Sequence, residues 1–229
     1  MKQSLLIFSF LIGNLLFAQD YLLTEKFDPD EYESSDSTSQ NNHRFNEGWG
    51  LNTNIGEDYE LINTWGSNQF SLSYKYHARL FKSLYWNIGL GYMWDNYKFK
   101  SRTDMMLHDS IPHSKVKLRV QSATFLSGFR FQSSEDVLTS LYFDVSGYLN
   151  IKTLTKYLTW DEVEDMKLKN TTRNLNYVNP FNYGVEARLG FSMISVYSRY
   201  RISDLFDKKS GYRELPRLSI GLTFEITDY

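Results

Sequence analysis

Large apolar and polar side chains alternate with a period of two residues from residue 48 to the C-terminus, and this period predicts β-strands. Phe70, Leu72 and Tyr74 fall on one face of one such segment. Ser73 and Lys75 fall on the other face. Eight segments alternate in this way and are predicted to be strands: 48–56, 69–80, 84–99, 115–131, 139–153, 180–191, 193–202 and 215–227.

The connections between these segments alternate between short and long. Residues 81–83, 132–138 and 191–193 form short joins. The long, polar connections are residues 57–68, 100–114, 154–179 and 203–214. Short turns at one end and long loops at the other are typical of an up-and-down transmembrane barrel, and an even strand number closes the sheet without an edge. The predicted fold is all-β, an eight-stranded antiparallel transmembrane β-barrel of OmpA-like or OmpX-like size.

Two segments depart from this regular plan. In the fourth segment, Val116 and Leu118 are apolar at even positions, whereas Phe125 and Phe129 are apolar at odd positions. A β-bulge near Gln121–Ser122 is predicted to shift the phase. Later in the chain, residues 158–166 are acidic with an apolar stripe, which predicts a short helix at the outer rim; an ordinary solvated loop is the alternative.

Either of two barrel types fits the alternation. A soluble barrel turns its apolar face inward, whereas an outer-membrane barrel turns it outward to lipid and encloses the polar face. In the third segment, Trp86 and Leu90 fall on the apolar face, and Gly89 and Gly91 fall on the other face. Eight strands leave a lumen only just wide enough for side chains, so small residues are expected there beside long ones. Because a solvent-facing surface has no such need, the glycines favour the membrane barrel.

Charged residues lie in the middle of several segments among large apolar neighbours. Inside a narrow lumen these charges must pair, because burying an isolated charge is very costly. A lumen charge network is predicted from Lys75, His77, Arg79, Asp95, Arg130, Asp144, Glu186, Arg188, Arg199, Arg201, Arg217 and Glu225. Cations predominate in this set, so the interior is either a plug of salt bridges or a narrow path for small anions. The small bore of eight strands favours the plug.

Aromatic residues mark the two ends of the third segment's apolar face. Trp86 and Trp94 are eight residues apart, which corresponds to about 20 Å of height at the usual strand rise and tilt. An apolar band about 25 Å tall with aromatic borders is typical of a lipid-facing strand. Trp86, Tyr92 and Trp94 are therefore predicted to belong to an aromatic girdle.

The N-terminal region has a different composition. Residues 1–19 are predicted to be a signal peptide, because Lys2 precedes an apolar run that is too short for the roughly 20 residues of a spanning helix. Residues 20–46 are polar and acidic, which predicts a flexible arm in the periplasm. The barrel domain is assigned to residues 47–229. The chain has no cysteine, which excludes disulfides and thiolate metal sites, and its net charge of −2 gives no support for nucleic-acid binding.

Three stretches carry a family resemblance. They are Asn179–Phe191 (NPFNYGVEARLGF), Tyr200–Phe206 (YRISDLF) and Leu215–Phe224 (LPRLSIGLTF). With the signal ending in Phe-Ala-Gln, they resemble the PorT-like outer-membrane β-barrel proteins of Bacteroidota. The resemblance implies export to a Gram-negative outer membrane and a structural or interaction role in the cell envelope, including that of a secretion accessory. The last residue, Tyr229, departs from the phenylalanine that often ends such barrels.

The sequence offers few candidates for catalytic or metal-binding residues. His108 and His113 share a long loop with two aspartates, but this spacing is a weak metal signal, and no metal or cofactor is predicted. His77 is the only candidate base for a lipid-modifying enzyme, and no serine nucleophile motif accompanies it. A non-enzymatic envelope protein is therefore the main prediction, with an anion-permeable pore as the alternative. The expected partners are outer-membrane lipid and envelope or secretion proteins.

Overall fold

A single antiparallel sheet makes up the described part of the chain. The computed structural model describes residues 43–53, 61–100, 113–134, 139–163 and 166–227. The strands are β1 (His43–Thr53), β2 (Asn68–Phe81), β3 (Leu84–Lys98), β4 (Lys115–Gln132), β5 (Leu141–Val163), β6 (Met166–Arg173), β7 (Phe181–Phe191), β8 (Ile194–Arg201) and β9 (Leu218–Thr227). Two 3-10 turns, Thr64–Gly66 and Lys208–Ser210, lie in long loops. No helix in these ranges is long and apolar enough to cross a membrane.

Eight of the strands close into a barrel. Each pairs with its neighbours in the order β1-β2-β3-β4-β5-β7-β8-β9, and β9 returns to pair with β1. All of these pairings are antiparallel. The predicted eight-stranded antiparallel barrel is therefore confirmed. The barrel end with the β2–β3, β4–β5 and β7–β8 connections is called the short-turn end, and the other is the long-loop end.

The first strand starts earlier than the sequence suggests. β1 begins at His43 and pairs with both β2 and β9. Arg44 and Asn46, which the sequence analysis assigns to the N-terminal arm, are thus barrel residues that are almost fully buried. The predicted signal peptide, and the predicted arm before residue 43, lie outside the described residues.

A β-hairpin replaces the predicted helix or solvated loop at residues 158–166. β5 continues to Val163 and pairs with β6 from Lys156–Arg173 to Val163–Met166. β4 explains this extension, because its first residues pair with β5 as far as Trp160. Without the longer β5, the backbone groups at the start of β4 that face β5 would lose their partners. β6 stands beside the ring as a ninth strand.

The predicted bulge exists, but the phase change occurs on the neighbouring strand. The pairing of β4 with β5 shifts between Gln121 and Ser122, which leaves Thr153 of β5 as the additional residue. β4 keeps one inward face along its whole length, so Val116 and Arg130 both point inward. The prediction of a phase change within β4 was wrong because it assumed that apolar residues always face outward.

The two faces of the barrel have the orientation that the sequence predicts. Outward-facing apolar residues are widely exposed, with Leu90 at 67 % and Phe143 at 43 %. Inward-facing Lys75 and Arg130 are completely buried. A sheet with an exposed apolar face and an enclosed charged face is inverted relative to a water-soluble barrel.

An apolar core closes the long-loop end, and the sequence analysis did not anticipate it. Inward residues of β3, β4 and β5 pack there against residues from the long loops: Leu61, Ile62, Tyr97, Phe99, Val116, Leu118, Val120, Tyr157, Leu175, Val178, Leu205, Phe206 and Leu215. We call this group the loop core. Isolated bridges pair Ile62 with Phe99 and Val178 with Phe206. The long loops described here are therefore packed segments across the barrel end.

A cluster of aromatic rings lies beside the loop core. The Tyr177 ring is 5.0 Å from that of Tyr212 and 6.1 Å from that of Phe206, measured between centroids. Burial raises the pKa of the Tyr177 hydroxyl, with a smaller contribution from neighbouring tyrosines. The Tyr177–Tyr212 contact is edge-on, and such contacts stabilise the packing beyond the apolar area that they bury.

Candidate functional site: the charge-filled lumen

Tyrosine rings in the lumen lie against glycines on the neighbouring strands. A Cβ atom added to Gly184 would lie 2.6 Å from the Tyr148 hydroxyl, and one added to Gly190 would overlap the Tyr142 ring. A Cβ added to Gly89 would lie 2.8 Å from Cγ of Lys75. Real Cβ atoms do not approach this closely, so these positions require glycine. The inward glycines thus make room for long side chains, as predicted.

Arg130 holds two carboxylates near the short-turn end. Its Nε and Nη2 donate to Asp144 at 2.6 and 2.8 Å, and its Nη1 and Nη2 donate to Glu225, both at 2.8 Å. The Tyr142 ring centroid lies 3.9 Å from the guanidinium carbon. A planar guanidinium suits such double bidentate contacts, and the ring face adds a cation–π contact. All three charges are buried but paired.

Arg44 completes this group, although the sequence analysis missed it. Its Nη1 donates to Glu225, and its Nη2 donates to Oε1 of Gln132 at 3.4 Å. Glu225 therefore lies between two arginines. The alternation before residue 47 offered a signal, since Phe45 is outward between inward Arg44 and Asn46. The acidic and polar stretch that precedes it obscured that signal.

Glu186 is the centre of the second charge group. It accepts from Nε of Arg188 at 2.6 Å and from Nε of Arg199 at 2.8 Å. Arg188 also donates to Oδ1 of Asn46 at 3.0 Å. Nζ of Lys75 lies 3.9 Å from Glu186. One carboxylate thus faces three cations, which leaves the middle of the lumen rich in positive charge.

The lumen changes to a mixed polar network toward the long-loop end. Asp95 accepts from Gln69 Nε2 at 2.7 Å, and Tyr197 donates to Gln69 Oε1 at 3.1 Å. Arg201 pairs with Glu214 of the β8–β9 loop at 2.8 Å. The network therefore connects the strands directly to a segment that closes the barrel end.

Ion pairs cross the full width of the lumen. β4 and β9 are opposite each other in the ring, and Arg130 and Glu225 join them. β2 and β7 are also opposite, and Lys75 and Glu186 approach each other between them. Eight strands enclose an interior that side chains can fill. The contacts across the lumen show that its side chains do fill it.

A small cavity remains between the charge network and the loop core. Its volume is about 20 Å³, and Asp95, Tyr148, Arg199 and Arg201 contribute to its wall. A polar cavity needs roughly 10–15 Å³ to hold one water molecule. The space is therefore suited to water and too small for an organic ligand.

His77 is enclosed with the charges and has no catalytic arrangement around it. Neither of its ring nitrogens has a hydrogen-bond partner among the described residues, and its side chain is fully buried. A catalytic histidine needs a nucleophile and an orienting group within hydrogen-bond reach. The amino group of Lys75 and the amide nitrogen of Asn87 also lack hydrogen-bond partners among the described residues, although Lys75 is within ion-pair distance of Glu186.

Two predicted members of the lumen network lie at its edges and are not fully buried. Arg79 has the inward phase of β2 but is exposed at the short-turn rim. Arg217 precedes β9, where it pairs with Asp204 at 2.6 Å and donates to the Ile202 carbonyl at 2.8 Å. Arg79 lies outside the network because the alternation continues past the enclosed part of β2, whereas Arg217 borders the small cavity at the edge of the network. The other ten predicted residues are buried in the lumen: Lys75, His77, Asp95, Arg130, Asp144, Glu186, Arg188, Arg199, Arg201 and Glu225.

The three predicted girdle residues share the outward face of β3. Tyr92 and Trp94 contact each other, with ring centroids 4.6 Å apart. The Tyr92 hydroxyl lies 2.6 Å from Oγ1 of Thr153, and Trp86 donates to Oγ of Ser127 at 3.1 Å. Trp86 is near the short-turn end and Trp94 is toward the long-loop end. Their role as a girdle stays a prediction.

The weak metal signal of the β3–β4 loop gains no support. Nδ1 of His113 lies 2.8 Å from Oδ2 of Asp161. His108 lies outside the described residues. Within the described ranges, no group of three or more metal-ligating side chains is suitably placed for an ion. His113 therefore links the start of β4 to the β5–β6 hairpin.

Comparisons with known proteins identify no family for this barrel. No protein-family model matches the chain, and no curated protein matches its sequence significantly.

Proposed function

We propose that this chain is an integral outer-membrane β-barrel protein with a structural or interaction role in the cell envelope. The observation that supports this most directly is the inverted sheet, apolar outside and charged inside. Apolar patches on soluble monomers rarely exceed a few hundred Å². Here exposed large apolar side chains occur on the outward faces of all eight ring strands. In hydrocarbon, a closed barrel also satisfies every strand backbone group.

Fractionation of cells that express the full chain tests this location. The protein should sediment with outer membranes, resist extraction by carbonate, and require detergent for solubility. A folded barrel should also migrate differently from heated protein in a mild-detergent gel, because a closed barrel stays folded in the gel detergent until it is heated. A protein that is folded and monomeric in detergent-free buffer would contradict the proposal.

The filled lumen supports a structural or interaction role over transport. Arg130 and Glu225 bridge opposite walls, and the loop core lies across one end. The positive middle of the lumen is the feature that favours the alternative, an anion-permeable pore. Planar-bilayer recordings distinguish the two proposals. We expect no steady conductance above that of the lipid alone, and a reproducible anion-selective current would establish the pore.

A role as a secretion accessory is proposed from the PorT-like resemblance. The long-loop end offers a contact for a partner, since the Trp65 side chain is 87 % exposed there. Exposed tryptophans are frequent hot spots in interfaces. Affinity purification from detergent-extracted envelopes should recover a secretion or envelope protein with the native chain. The Trp65→Ser variant should recover less of it, whereas Lys209→Gln, in another exposed loop position, should not change the yield.

We propose a non-enzymatic role because the one candidate base is enclosed. His77 is buried among charged lumen residues and has no serine or carboxylate in hydrogen-bond contact in the described part of the chain. Lipid substrates would meet the outside of the barrel, which His77 does not reach. Unchanged lipid composition in envelopes carrying native protein or His77→Ala would agree with this role. A lipid modification that depends on His77 would contradict it.

A further inference from the structure

On β3–β6, residues that pair across neighbouring strands form rows, and the outward-facing rows change from apolar to basic toward the long-loop end. The change occurs from one row to the next. Trp94 and Leu154 belong to the last row that is largely apolar. The next row toward the long-loop end joins Arg119, Lys156 and Arg173 on three adjacent strands. Aligned residues on antiparallel strands share a face, so all three side chains project outward.

Two further rows beyond it are also basic. Lys98 pairs directly with Lys117 across β3 and β4. Lys115, Trp160 and Lys169 form the outermost row. The two lysine amino groups of that row lie 5.0 and 5.6 Å from the Trp160 ring centroid, one on each neighbouring strand. The indole thus holds two cations beside each other by cation–π contacts.

These seven cations form what we call the basic face: Lys98, Lys115, Lys117, Arg119, Lys156, Lys169 and Arg173. None of them forms an ion pair with a carboxylate in the described ranges. Like charges directly opposite each other on neighbouring strands are destabilising. A surface that concentrates cations without carboxylate partners among the described residues is therefore suited to an anionic partner.

The basic face occupies one side of the barrel only. On the other side of the long-loop end, the outward residues near the rim are apolar, as Leu51, Ile202 and Leu218 show. There Arg217 pairs with Asp204 at 2.6 Å, and Lys208 of the β8–β9 loop lies 3.7 Å from the same carboxylate. The concentration of cations is thus a property of β3–β6 and does not extend around the rim.

We propose that the basic face binds the phosphate groups of a lipid headgroup in the leaflet that surrounds the long-loop end. The inference rests on the proposed membrane location, because that location puts these rows beside headgroups directly above the apolar band. Arginine matches phosphate oxygens with paired donors, and lysine adds point charge. Three adjacent strands span about 10 Å, so one row can contact more than one phosphate of a phosphorylated glycolipid.

A lipid titration of the purified full chain tests the proposal. The protein in non-ionic detergent is titrated with a bisphosphorylated disaccharide lipid, and bound lipid is counted by native mass spectrometry. The same lipid without phosphates serves as the comparison ligand. The Arg119→Gln/Lys156→Gln/Arg173→Gln variant is compared with Lys82→Gln/Lys208→Gln/Lys209→Gln, which removes three exposed cations elsewhere on the chain.

The native chain and the Lys82/Lys208/Lys209 variant should prefer the phosphorylated lipid. The basic-face variant should bind it roughly 100-fold more weakly, since each of the three surface cations contributes about a fivefold step. Millimolar inorganic phosphate should compete poorly, because a lone ion cannot span the row. Equal binding of both lipids, equal loss in the two variants, or complete displacement by inorganic phosphate would overturn the proposal.

Insertion into phosphatidylcholine vesicles separates this inference from the proposed function. Phosphatidylcholine has no net charge, so a membrane barrel should insert into it whether or not the basic face binds phosphorylated lipid. A chain that inserts but shows no phosphate preference would contradict only the lipid site. A chain that does not insert would contradict the membrane location itself.

Discussion

The two halves of the lumen differ sharply although the same strands build both. Near the short-turn end, Arg130 of β4 is fully buried among carboxylates. On the same face of the same strand, Leu118 is fully buried in the loop core near the long-loop end. The short turns add almost nothing to the interior, so strand side chains must satisfy one another there. The long loops supply apolar groups at the other end, so apolar strand residues can face inward.

Whether a residue faces inward and whether it is polar are therefore separate properties in this barrel. The inward phase of each strand is set by the pleat, whereas the chemistry of an inward position is set by what fills the space opposite. The following variants probe the two halves in turn, with stability measured by urea titration of the barrel in phosphatidylcholine vesicles and followed by tryptophan fluorescence.

Arg130→Met should have the largest effect. The substitution leaves Asp144 and Glu225 buried, and Arg44 is then the cation that remains hydrogen-bonded to Glu225. Losing one partner of a buried ion group lowers the free energy of unfolding by about 4 kcal/mol. The loss should shrink as the pH is lowered, because protonation neutralises the two carboxylates. Arg79→Met, at the exposed rim, is the control and should change stability far less. Equal effects of the two substitutions would refute the account of the short-turn half.

Leu118→Ala tests the apolar half. Leu118 is fully buried, and truncating such a residue should lower the free energy of unfolding by about 3 kcal/mol, because it leaves a cavity in the loop core. Leu90→Ala removes the same atoms from the outward face, where lipid can fill the space, and should cost less. If the two losses were the same, the long-loop half would not be packed as a core.

Gly190→Val tests whether bulk is excluded from the lumen wall. The added side chain would collide with the Tyr142 ring and with Cβ of Ser195, and overpacking of this kind should cost about 2 kcal/mol. The control is Gly147→Val on β5, where a Cβ atom has its nearest neighbour at 3.9 Å. Replacing Tyr142 by alanine in the Gly190→Val background should recover part of the loss, and no recovery would count against the tyrosine–glycine packing.

Arg217→Gln should have the smallest effect. Its partner Asp204 is 30 % exposed, and half-exposed ion pairs contribute about 0.5 kcal/mol. High salt should weaken the native pair and narrow the difference between variant and native chain. A loss comparable with that of Arg130→Met would place Arg217 inside the lumen network after all.

Much of the lumen could be predicted from the alternation because a strand has only two faces. Lys75, Glu186 and Arg199 are in phase with their neighbours, so the pattern placed them inward. The alternation assigns each residue to a face of the strand, but it does not mark where the enclosed part of the strand ends. Arg79 was therefore included although it lies beyond the closed part, and Arg44 was omitted because a polar segment precedes it.

Sequence periodicity could not predict which charged residues pair with one another. Arg130 and Glu225 are 95 residues apart in the chain and meet only because β4 and β9 lie opposite each other in the ring. The register between strands also creates the rows of the basic face. Arg119, Lys156 and Arg173 are unremarkable as isolated surface cations in the sequence, and they become one row through two strand pairings.

The sequence by itself determined that this protein is an eight-stranded antiparallel barrel, because a two-residue period and alternating loop lengths allow few other folds. The glycines among the polar positions further indicated that the apolar face is the outer one. Only the tertiary structure decided how the interior is filled. Whether an inward position holds an arginine or a leucine depends on the groups that approach from the opposite wall or from a loop. Those groups are distant in the chain, and closure of the ring brings them together.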